Sequence, residues 1–188
     1  MTKLSLRDPS VLVSLAAGVL VFGIDRAQKA YHIAANCIGI GQDRCVEVLF
    51  PVVDPTSLTG WRGGEFIRVT DFFDYVLVWN TGISYGLLGD LPVWALGIIM
   101  LVAIIALSVW WVRTDQMLVR LGLALALGGA LSNALDRLLY GAVADFFHFH
   151  WGEWSFYIFN LADVAITAGV ILLLLDAVGL GRRRAKPA

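Results

Sequence analysis

Two aspartates stand beside stretches that are apolar enough to cross a bilayer. Asp145 lies within Gly141–Phe146, and Asp163 lies within Phe159–Ala165. Ionisable groups are expensive in a membrane and therefore mark functional positions. Two carboxyl groups that meet cannot both ionise cheaply, so they share one proton. One member can then take a proton from water while the other polarises a peptide carbonyl, which is the chemistry of an aspartic protease.

Each aspartate also has a simpler interpretation when it is taken alone. Asp163 fits a carboxylate near a helix N-terminus, where the helix dipole favours negative charge. Asp145 fits a surface loop, because Gly141 is expected to end a helix just past Tyr140. A chain that folds back from Gly141 could bring Asp145 over Asp163, and only this pairing favours catalysis over the simpler interpretations.

Further polar residues precede the two aspartates. Asn133 and Arg137 are four residues apart and share one helix face, and both can donate to a carbonyl or a carboxylate. Asn160 comes three positions before Asp163. Asp136 is expected near the water boundary, either as part of the site or as an interfacial charge that orients the helix end with Arg137.

The composition is that of a membrane protein. Of 188 residues, 59% are hydrophobic and 15% are charged, against roughly 45–50% and about 25% in soluble domains. The length fits one domain, residues 1–188, and the net charge of −1 argues against a nucleic-acid partner. The predicted fold class is membrane all-α, with four transmembrane helices and a small extracytoplasmic β-structure between the first and second helices.

The four predicted spans cover about residues 9–31, 91–112, 117–139 and 154–177, each close to the length that a bilayer requires. The first span follows Lys3 and Arg7, so it also fits a cleavable signal peptide. Asp25 and Lys29, which come after its apolar run, favour the transmembrane alternative.

Basic residues predict that both termini are cytoplasmic. On that orientation the inside segments contain few acids, namely Asp8, Asp115 and Asp176. They contain many more basic residues, which are Lys3, Arg7, Arg113, Arg120, Arg182, Arg183, Arg184 and Lys186. The polar residues near the two aspartates then lie toward the outer side.

The segment of about residues 32–90 is predicted to be external. Its runs Glu65–Thr70 and Phe72–Trp79 have the composition of strands, so we expect a small β-structure on the membrane surface. Its aromatic residues are expected at headgroup level; they are Trp61, Trp79 and Tyr85.

Cys37 and Cys45, the only cysteines, both fall in this external segment. An oxidising compartment favours a disulfide between them. The alternative is thiol redox chemistry, but their spacing matches no redox motif, and His32 nearby is too little for a metal site.

Four separated blocks of sequence resemble the lipoprotein signal peptidases, also called signal peptidase II. The blocks are Asp25–Lys29, Asn80–Gly86, Gly129–Phe146 and Phe159–Asp163. The resemblance extends over nearly the whole chain. It implies an intramembrane aspartyl endopeptidase that removes the signal peptide of a diacylglyceryl-modified prolipoprotein, cutting before the lipidated cysteine.

The resemblance also implies roles for individual residues. It makes Asp145 and Asp163 the catalytic residues. The polar residues expected around them are Asn133, Arg137, Asn160 and Asp136. It further implies that the substrate is cradled by Asn80 and Gly82, and that a supporting pair is formed by Asp25 and Lys29. The chain departs from the family pattern in a longer interval between Lys29 and Asn80 and in Ser84–Tyr85. Both departures concern the external cradle rather than the aspartates.

The family further implies a multi-pass protein of the bacterial cytoplasmic (inner) membrane, with its active site near the outer face. The expected partners are prolipoprotein substrates and membrane lipid; a monomer is expected, and no cofactor or metal. Two alternatives from other classes remain, an ion- or proton-coupled membrane transporter and a thiol–disulfide oxidoreductase. Against a transporter, residues 91–112 and 121–135 carry no charge.

Overall fold

The computed structural model describes residues 8–37, 61–63, 67–82 and 93–179. Within these ranges the chain forms four helices and five short strands. The helices are α1 (Pro9–Cys37), α2 (Val93–Arg113), α3 (Met117–Tyr140) and α4 (Leu161–Ala177). The fold is therefore mainly helical, as the sequence predicts.

Three of the described helices are long and apolar enough to cross a membrane, over Pro9–Ala34, Trp94–Arg113 and Met117–Tyr140. The fourth, α4, has 17 residues. At 1.5 Å per residue it is about 26 Å long, which is shorter than a hydrocarbon core of about 30 Å.

The start of α4 differs from the sequence prediction. The predicted span begins near Trp154, but Trp154–Ser155 forms a strand and the helix begins at Leu161. Asn160 ends the extended segment because its side chain accepts a hydrogen bond from the backbone N–H of Asp163 (3.0 Å). An Asn at this position satisfies one of the unpaired N–H groups of the first turn and so fixes the start of the helix.

The strands form one antiparallel sheet. Its order is β1-β3-β4-β5, and β2 also pairs with β3. The bounds are β1 (Trp61–Gly63), β2 (Ile67–Arg68), β3 (Phe73–Asn80), β4 (Val143–Trp151) and β5 (Trp154–Ser155).

The location of the sheet in the chain was predicted only in part. β1, β2 and β3 precede α2, as expected, but β4 and β5 lie between α3 and α4. Gly141 ends α3 in the left-handed conformation, with φ of 72°, as the sequence predicts. The following residues are mostly aromatic or β-branched, which favours a strand, and they pair with β3 in the register Val78↔Asp145 and Asn80↔Val143.

Glycines let the helices approach one another closely. α3 packs against α1, α2 and α4. A Cβ added at Gly128 would lie 2.5 Å from the carbonyl oxygen of Gly18 in α1, and one at Gly122 would lie 2.8 Å from that of Gly169 in α4. Small residues at such contacts are typical of membrane helix packing, where close van der Waals contact stabilises the bundle.

An apolar cluster holds the sheet against the C-terminal end of α1. It contains Ile33, Leu77, Trp79, Ala142, Ala144 and Phe146. The side chain of Trp79 is buried in this cluster, and its ring lies 5.0 Å from that of Tyr140. Its location at headgroup level stays a prediction. Period-two alternation places Trp79 on the inner face of β3, and this face packs on the helices.

Some predictions fall outside the described residues. Cys45 and Tyr85 belong to ranges that the structure does not describe, and the side chains of Cys37 and Trp61 are likewise not described. The disulfide between Cys37 and Cys45 therefore stays a prediction.

Candidate active site

Asp145 lies near the start of β4 and is 1% exposed. Asn80 Nδ2, from the neighbouring strand β3, donates to Asp145 Oδ2 at 3.1 Å. Asn160 Nδ2 donates to Asp145 Oδ1 at 2.6 Å. Both carboxylate oxygens thus accept from amide groups, which holds the side chain in one orientation.

Asp163 lies in the first turn of α4. Its Oδ2 accepts from the backbone N–H of Asn160 (3.1 Å), while its own N–H donates to Asn160 Oδ1, which together form a capping box. The interpretation of Asp163 as a carboxylate at a helix N-terminus is therefore correct as a description of its place. The remaining oxygen, Oδ1, accepts from Asn133 Nδ2 at 2.9 Å.

Asn133 and Asn160 connect the two aspartates. Asn160 Nδ2 donates to Asn133 Oδ1 at 3.1 Å as well as to Asp145. Asn133 donates in turn to Asp163. Side chains from α3, β4 and the start of α4 thus converge, and the chain reversal at Gly141 brings Asp145 to Asp163 as the sequence analysis anticipated.

A buried ion cluster supports Asn133. Lys29 Nζ donates to Asn133 Oδ1 (2.8 Å) and forms ion pairs with Asp25 (3.0 Å) and Asp136 (2.7 Å). The side chains of all three ionic residues are 0% exposed. Because opposite charges compensate one another here, the cluster avoids the large penalty of an isolated buried charge.

The location of Asp136 differs from one of the two predicted alternatives. It is not an interfacial charge at the water boundary, since its side chain is fully buried. It accepts hydrogen bonds from Arg26 and from the backbone N–H of Ala144 (3.2 Å). Asp136 thereby joins α1, α3 and the strand that carries Asp145.

Asp25 attaches the same cluster to α4. Its Oδ1 accepts from the backbone N–H of Ala162 (2.8 Å), in the first turn of α4, and its Oδ2 accepts from Ser132 Oγ (2.6 Å). Sequence reasoning did not single out Ser132 or Arg26. A charge at position 26, inside an apolar helix and adjacent to Asp25, was the available signal for Arg26.

Arg137 and Gly82 lie at the rim of the site. Arg137 Nη2 donates to the carbonyl oxygen of Gly82 at 2.7 Å. The backbone N–H of Gly82 donates to Asn80 Oδ1 at 3.0 Å. Every residue of the described chain that the sequence analysis assigned to the site therefore lies in or directly beside this network.

A cavity of about 280 Å³ opens between the two aspartates. Its polar lining is Asn80, Asn133, Arg137, Asp145 and Asp163, and its remaining lining is Met100, Ala130, Val143, Tyr157, Ile158, Ile166 and Thr167. The polar groups thus face a mainly apolar wall contributed by α2, α3, α4 and the segment before α4. This arrangement suits a peptide bond that arrives together with apolar groups.

The electrostatic environment favours a proton on Asp145. Burial raises the pKa of Asp145 well above its usual value, and the nearby charge of Asp163 raises this pKa further. The hydrogen bond from Asn80, the charge of Lys29 and the hydrogen bond from Asn160 act in the opposite direction. A carboxyl group with a raised pKa beside a second carboxyl is the arrangement that acid–base catalysis requires.

Comparison with known proteins identifies the family. A family model described as signal peptidase (SPase) II matches residues 17–179. A lipoprotein signal peptidase of Methylorubrum extorquens (strain PA1) is 52% identical over 114 residues, which cover 59% of this chain and 67% of that protein. One of Methylobacterium radiotolerans is 50% identical over 126 residues, covering 64% of this chain and 74% of its own.

Solved structures agree with this assignment. A bacterial membrane enzyme solved by the in meso method has a TM-score of 0.68 and 25% identity, covering 100% of this chain and 99% of its own. A second one has a TM-score of 0.66 and 26% identity, covering 95% and 98%. The family model spans most of the chain and includes every residue of the site described above, and we conclude that the chain belongs to the signal peptidase II family.

Proposed function

We propose that the chain is an aspartic endopeptidase that removes the signal peptide of diacylglyceryl-modified prolipoproteins, with Asp145 and Asp163 as its catalytic residues. Membership of the signal peptidase II family supports the activity. One observation supports the assignment of the residues. Two carboxyl groups on different elements line one cavity and are joined through the amides of Asn133 and Asn160.

The proposed reaction begins with a water molecule between the two carboxyl groups, which share one proton. The ionised group takes a proton from this water molecule, and the oxygen of the water attacks the peptide carbonyl carbon. The protonated group gives its proton to the carbonyl oxygen, which produces a neutral tetrahedral diol. When the C–N bond breaks, the carboxyl group that took the proton of the water gives it to the leaving nitrogen. The other carboxylate takes back a hydroxyl proton from the diol, so the products are a carboxylic acid and an amine and the pair again shares one proton.

The surrounding residues have positioning and binding roles in this proposal. Asn133 and Asn160 hold the carboxyl groups, while Asp25, Lys29 and Asp136 fix Asn133 and the start of α4. Arg137, Asn80 and Gly82 lie where the extended substrate backbone would enter. A strand-like substrate could be bound there, because Arg137 reaches the Gly82 carbonyl and leaves its other donors near the cavity.

Four transmembrane spans with both termini in the cytoplasm remain part of the proposal. Three helices support it by length and apolar composition, and α4 can serve as a fourth span at the short end of the usual range. The distribution of Lys and Arg supports the orientation. On this topology the protein is a single domain and a monomer of the bacterial inner membrane, with the aspartates near the outer face.

The lipid part of the substrate is proposed to remain in the bilayer. Apolar residues of α2 and α4 line the cavity beside the aspartates, including Met100 and Ile166. A lateral opening there avoids transferring acyl chains into water, which costs about 0.8 kcal/mol per methylene.

A transporter is not favoured by these observations. The family assignment concerns a peptidase, and the described polar cluster joins α1, α3, α4 and the sheet rather than forming a path along a helix. The thiol–disulfide alternative rests on Cys37 and Cys45, and a double substitution of both by Ala that keeps full activity would exclude it.

Incubation of the purified protein with a diacylglyceryl prolipoprotein tests the proposal, with cleavage followed by mass spectrometry. We expect one cut, directly before the lipidated cysteine. Asp145→Asn and Asp163→Asn should each reduce turnover by at least about 10²–10⁴-fold, because an amide cannot exchange a proton with water.

Asp71→Asn is the matched control, since Asp71 is an exposed acid that pairs with exposed Arg68. Asp136→Asn, which the sequence alone would favour as a control, is unsuitable because Asp136 is buried in the ion cluster. More than a tenth of normal turnover in either aspartate variant, with Asp71→Asn fully active, would rule out the catalytic assignment.

A further inference from the structure

Two of the three histidines of the chain meet one aspartate on the sheet, away from the catalytic aspartates. Asp74 lies on β3, and His148 and His150 lie two residues apart on β4, with Asp74 opposite His148 in the strand register. Successive side chains of a strand alternate between its two faces. His148 and His150 therefore share the face of β4 that Asp145 does not occupy.

The potential ligand atoms of these three residues converge. Asp74 Oδ2 lies 3.1 Å from His148 Nδ1 and 3.1 Å from His150 Nε2. All three atoms lie within 4.8 Å of one another. Ligand atoms around a tetrahedral zinc ion are separated by about 3.3 Å, given Zn–N and Zn–O distances near 2.0–2.2 Å.

The outer ring nitrogen of His148 contacts a hydroxyl group. His148 Nε2 lies 2.7 Å from Ser155 Oγ, and the Ser155 hydroxyl donates to the carbonyl oxygen of Phe156 (3.4 Å). When Ser155 Oγ accepts a hydrogen bond from Nε2, the Nδ1 lone pair is available to a metal ion that Asp74 also binds. Such a hydrogen bond to the outer ring nitrogen is typical of histidines that bind metal.

A cation bound between His148 Nδ1 and Asp74 Oδ2, which are 3.1 Å apart, would accept a lone pair from each atom. His150 Nε2 lies close to the same oxygen and makes no hydrogen bond of good geometry within the described chain. The two imidazole rings are stacked with their centroids 5.3 Å apart, so both can contribute a ligand to one site. A single divalent ion can satisfy all three atoms.

We propose that Asp74, His148 and His150 bind one Zn²⁺ ion on the face of the sheet opposite Asp145. Imidazole and carboxylate ligands suit zinc, and the three side chains are 12–21% exposed, so water can complete the coordination and the ion can enter. The ion joins β3 to β4, the strands that carry Asn80 and Asp145. Its effect is to stabilise this strand pair rather than to take part in hydrolysis.

Zinc binding by the full-length protein tests the proposal directly. The protein, carrying no histidine tag, is purified in detergent, stripped with a chelator, incubated with zinc chloride and dialysed, and its zinc content is measured by mass spectrometry. We expect one zinc ion per chain. Affinity, measured by competition with a chromogenic chelator, should fall at least about 100-fold in His148→Ala/His150→Ala, which lacks two ligands, and by less, about tenfold, in Ser155→Ala.

His32→Gln is the matched control, because His32 is the third histidine and lies on α1. It should keep full zinc affinity. Should the double variant fail to fold, Asp74→Asn gives the same comparison with little change in side-chain size. Wild-type protein that retains no stoichiometric zinc, or variants that retain it as tightly as the wild type, would overturn the proposal and leave an Asp–His proton pair as the explanation of the cluster.

Discussion

At the scale of single residues, Asn133 is held in one orientation by its neighbours. Its oxygen accepts from Lys29 Nζ and from Asn160 Nδ2, so its nitrogen can only point to Asp163. A buried amide that is fully hydrogen-bonded cannot flip without leaving donors unpaired, which costs about 1–3 kcal/mol. Lys29 therefore acts on Asp163 through Asn133 as well as through its charge.

The hydrogen bond from Asn80 makes a testable contribution to the pH dependence. Burial and the charge of Asp163 raise the pKa of Asp145, and the hydrogen bond from Asn80 lowers it. Asn80→Ala removes a donor to the ionised form, so the pKa of Asp145 should rise. The shared proton is then lost at higher pH, and the alkaline limb of the kcat/KM profile should move upward.

The pH at which kcat/KM falls on the alkaline side is the quantity to compare. The maximal kcat/KM should also decrease in Asn80→Ala, because this substitution removes the contact with Gly82. Asp71→Asn provides the comparison, since this exposed acid lies outside the network. A limb that stays in place or moves to lower pH in Asn80→Ala would contradict the role given to this hydrogen bond.

The residues of the site could be predicted from the sequence, but most of their hydrogen-bond partners could not. Asp145 and Asp163 stand out because charges are rare beside apolar runs, and Asn133 with Arg137 follows from helical spacing. The bonds from Asn160 to both Asn133 and Asp145 could not be predicted, because they depend on how β4 and α4 meet in space. The burial of Asp136 was missed for the same reason, as its partners Arg26 and Lys29 are on a different helix.

At the scale of elements, glycines on α3 set the distance between the helices that carry the site. A Cβ at Gly129 would overlap the carbonyl oxygen of Ala162, and it would also lie 2.9 Å from the side chain of Ile166. Ala162 is next to Asp163 and its N–H donates to Asp25. A displacement of this turn would therefore reach the aspartate directly.

We expect Gly129→Ala to lower turnover at least tenfold and to destabilise the protein by about 1–3 kcal/mol, the usual range for overpacking. Gly97→Ala on α2 is the control, because a Cβ there meets nothing within 4 Å. Thermal unfolding in detergent and the cleavage assay measure the two effects. Equal turnover in the two variants would show that α4 can move without disturbing Asp163.

The helices could be predicted from the sequence more closely than the strands. Long apolar runs determine α2 and α3 almost to the residue, and Gly141 marks the end of α3. In contrast, the segment from Val143 to Phe159 consists of short apolar and aromatic runs interrupted by polar residues, and such short runs fit a strand or a helix equally well. Residues 143–151 form a strand because they pair with β3, and α4 begins only at Leu161 because Asn160 caps it. Both effects depend on contacts in the folded structure rather than on the local sequence.

At the scale of the whole molecule, the apolar wall of the cavity predicts a strong preference for lipidated substrate. Met100, Ile158 and Ile166 face the space beside the aspartates. We expect a precursor without the diacylglyceryl group to be cleaved at least tenfold more slowly at equal concentration, because it loses the partition into the bilayer that brings it to the site.

Cleavage of the two precursors, compared in the same detergent or bilayer by mass spectrometry, measures this preference. Met100→Lys tests whether the wall itself contributes, since a charge there should reduce cleavage of the lipidated form more than that of the unlipidated form. Equal rates for the two precursors with the wild-type protein would contradict a lateral, lipid-facing entrance.

The capping box at Asp163 has a practical consequence for capturing the enzyme with an uncut precursor. Asp163 completes the first turn of α4, and replacing it by Asn removes a negative charge from a helix N-terminus, which is worth about 0.3–1 kcal/mol. Asp145 lies on a strand and caps no helix. A trapping variant for determining the structure of the bound precursor is therefore best made as Asp145→Asn, which stops turnover while leaving that helix end intact.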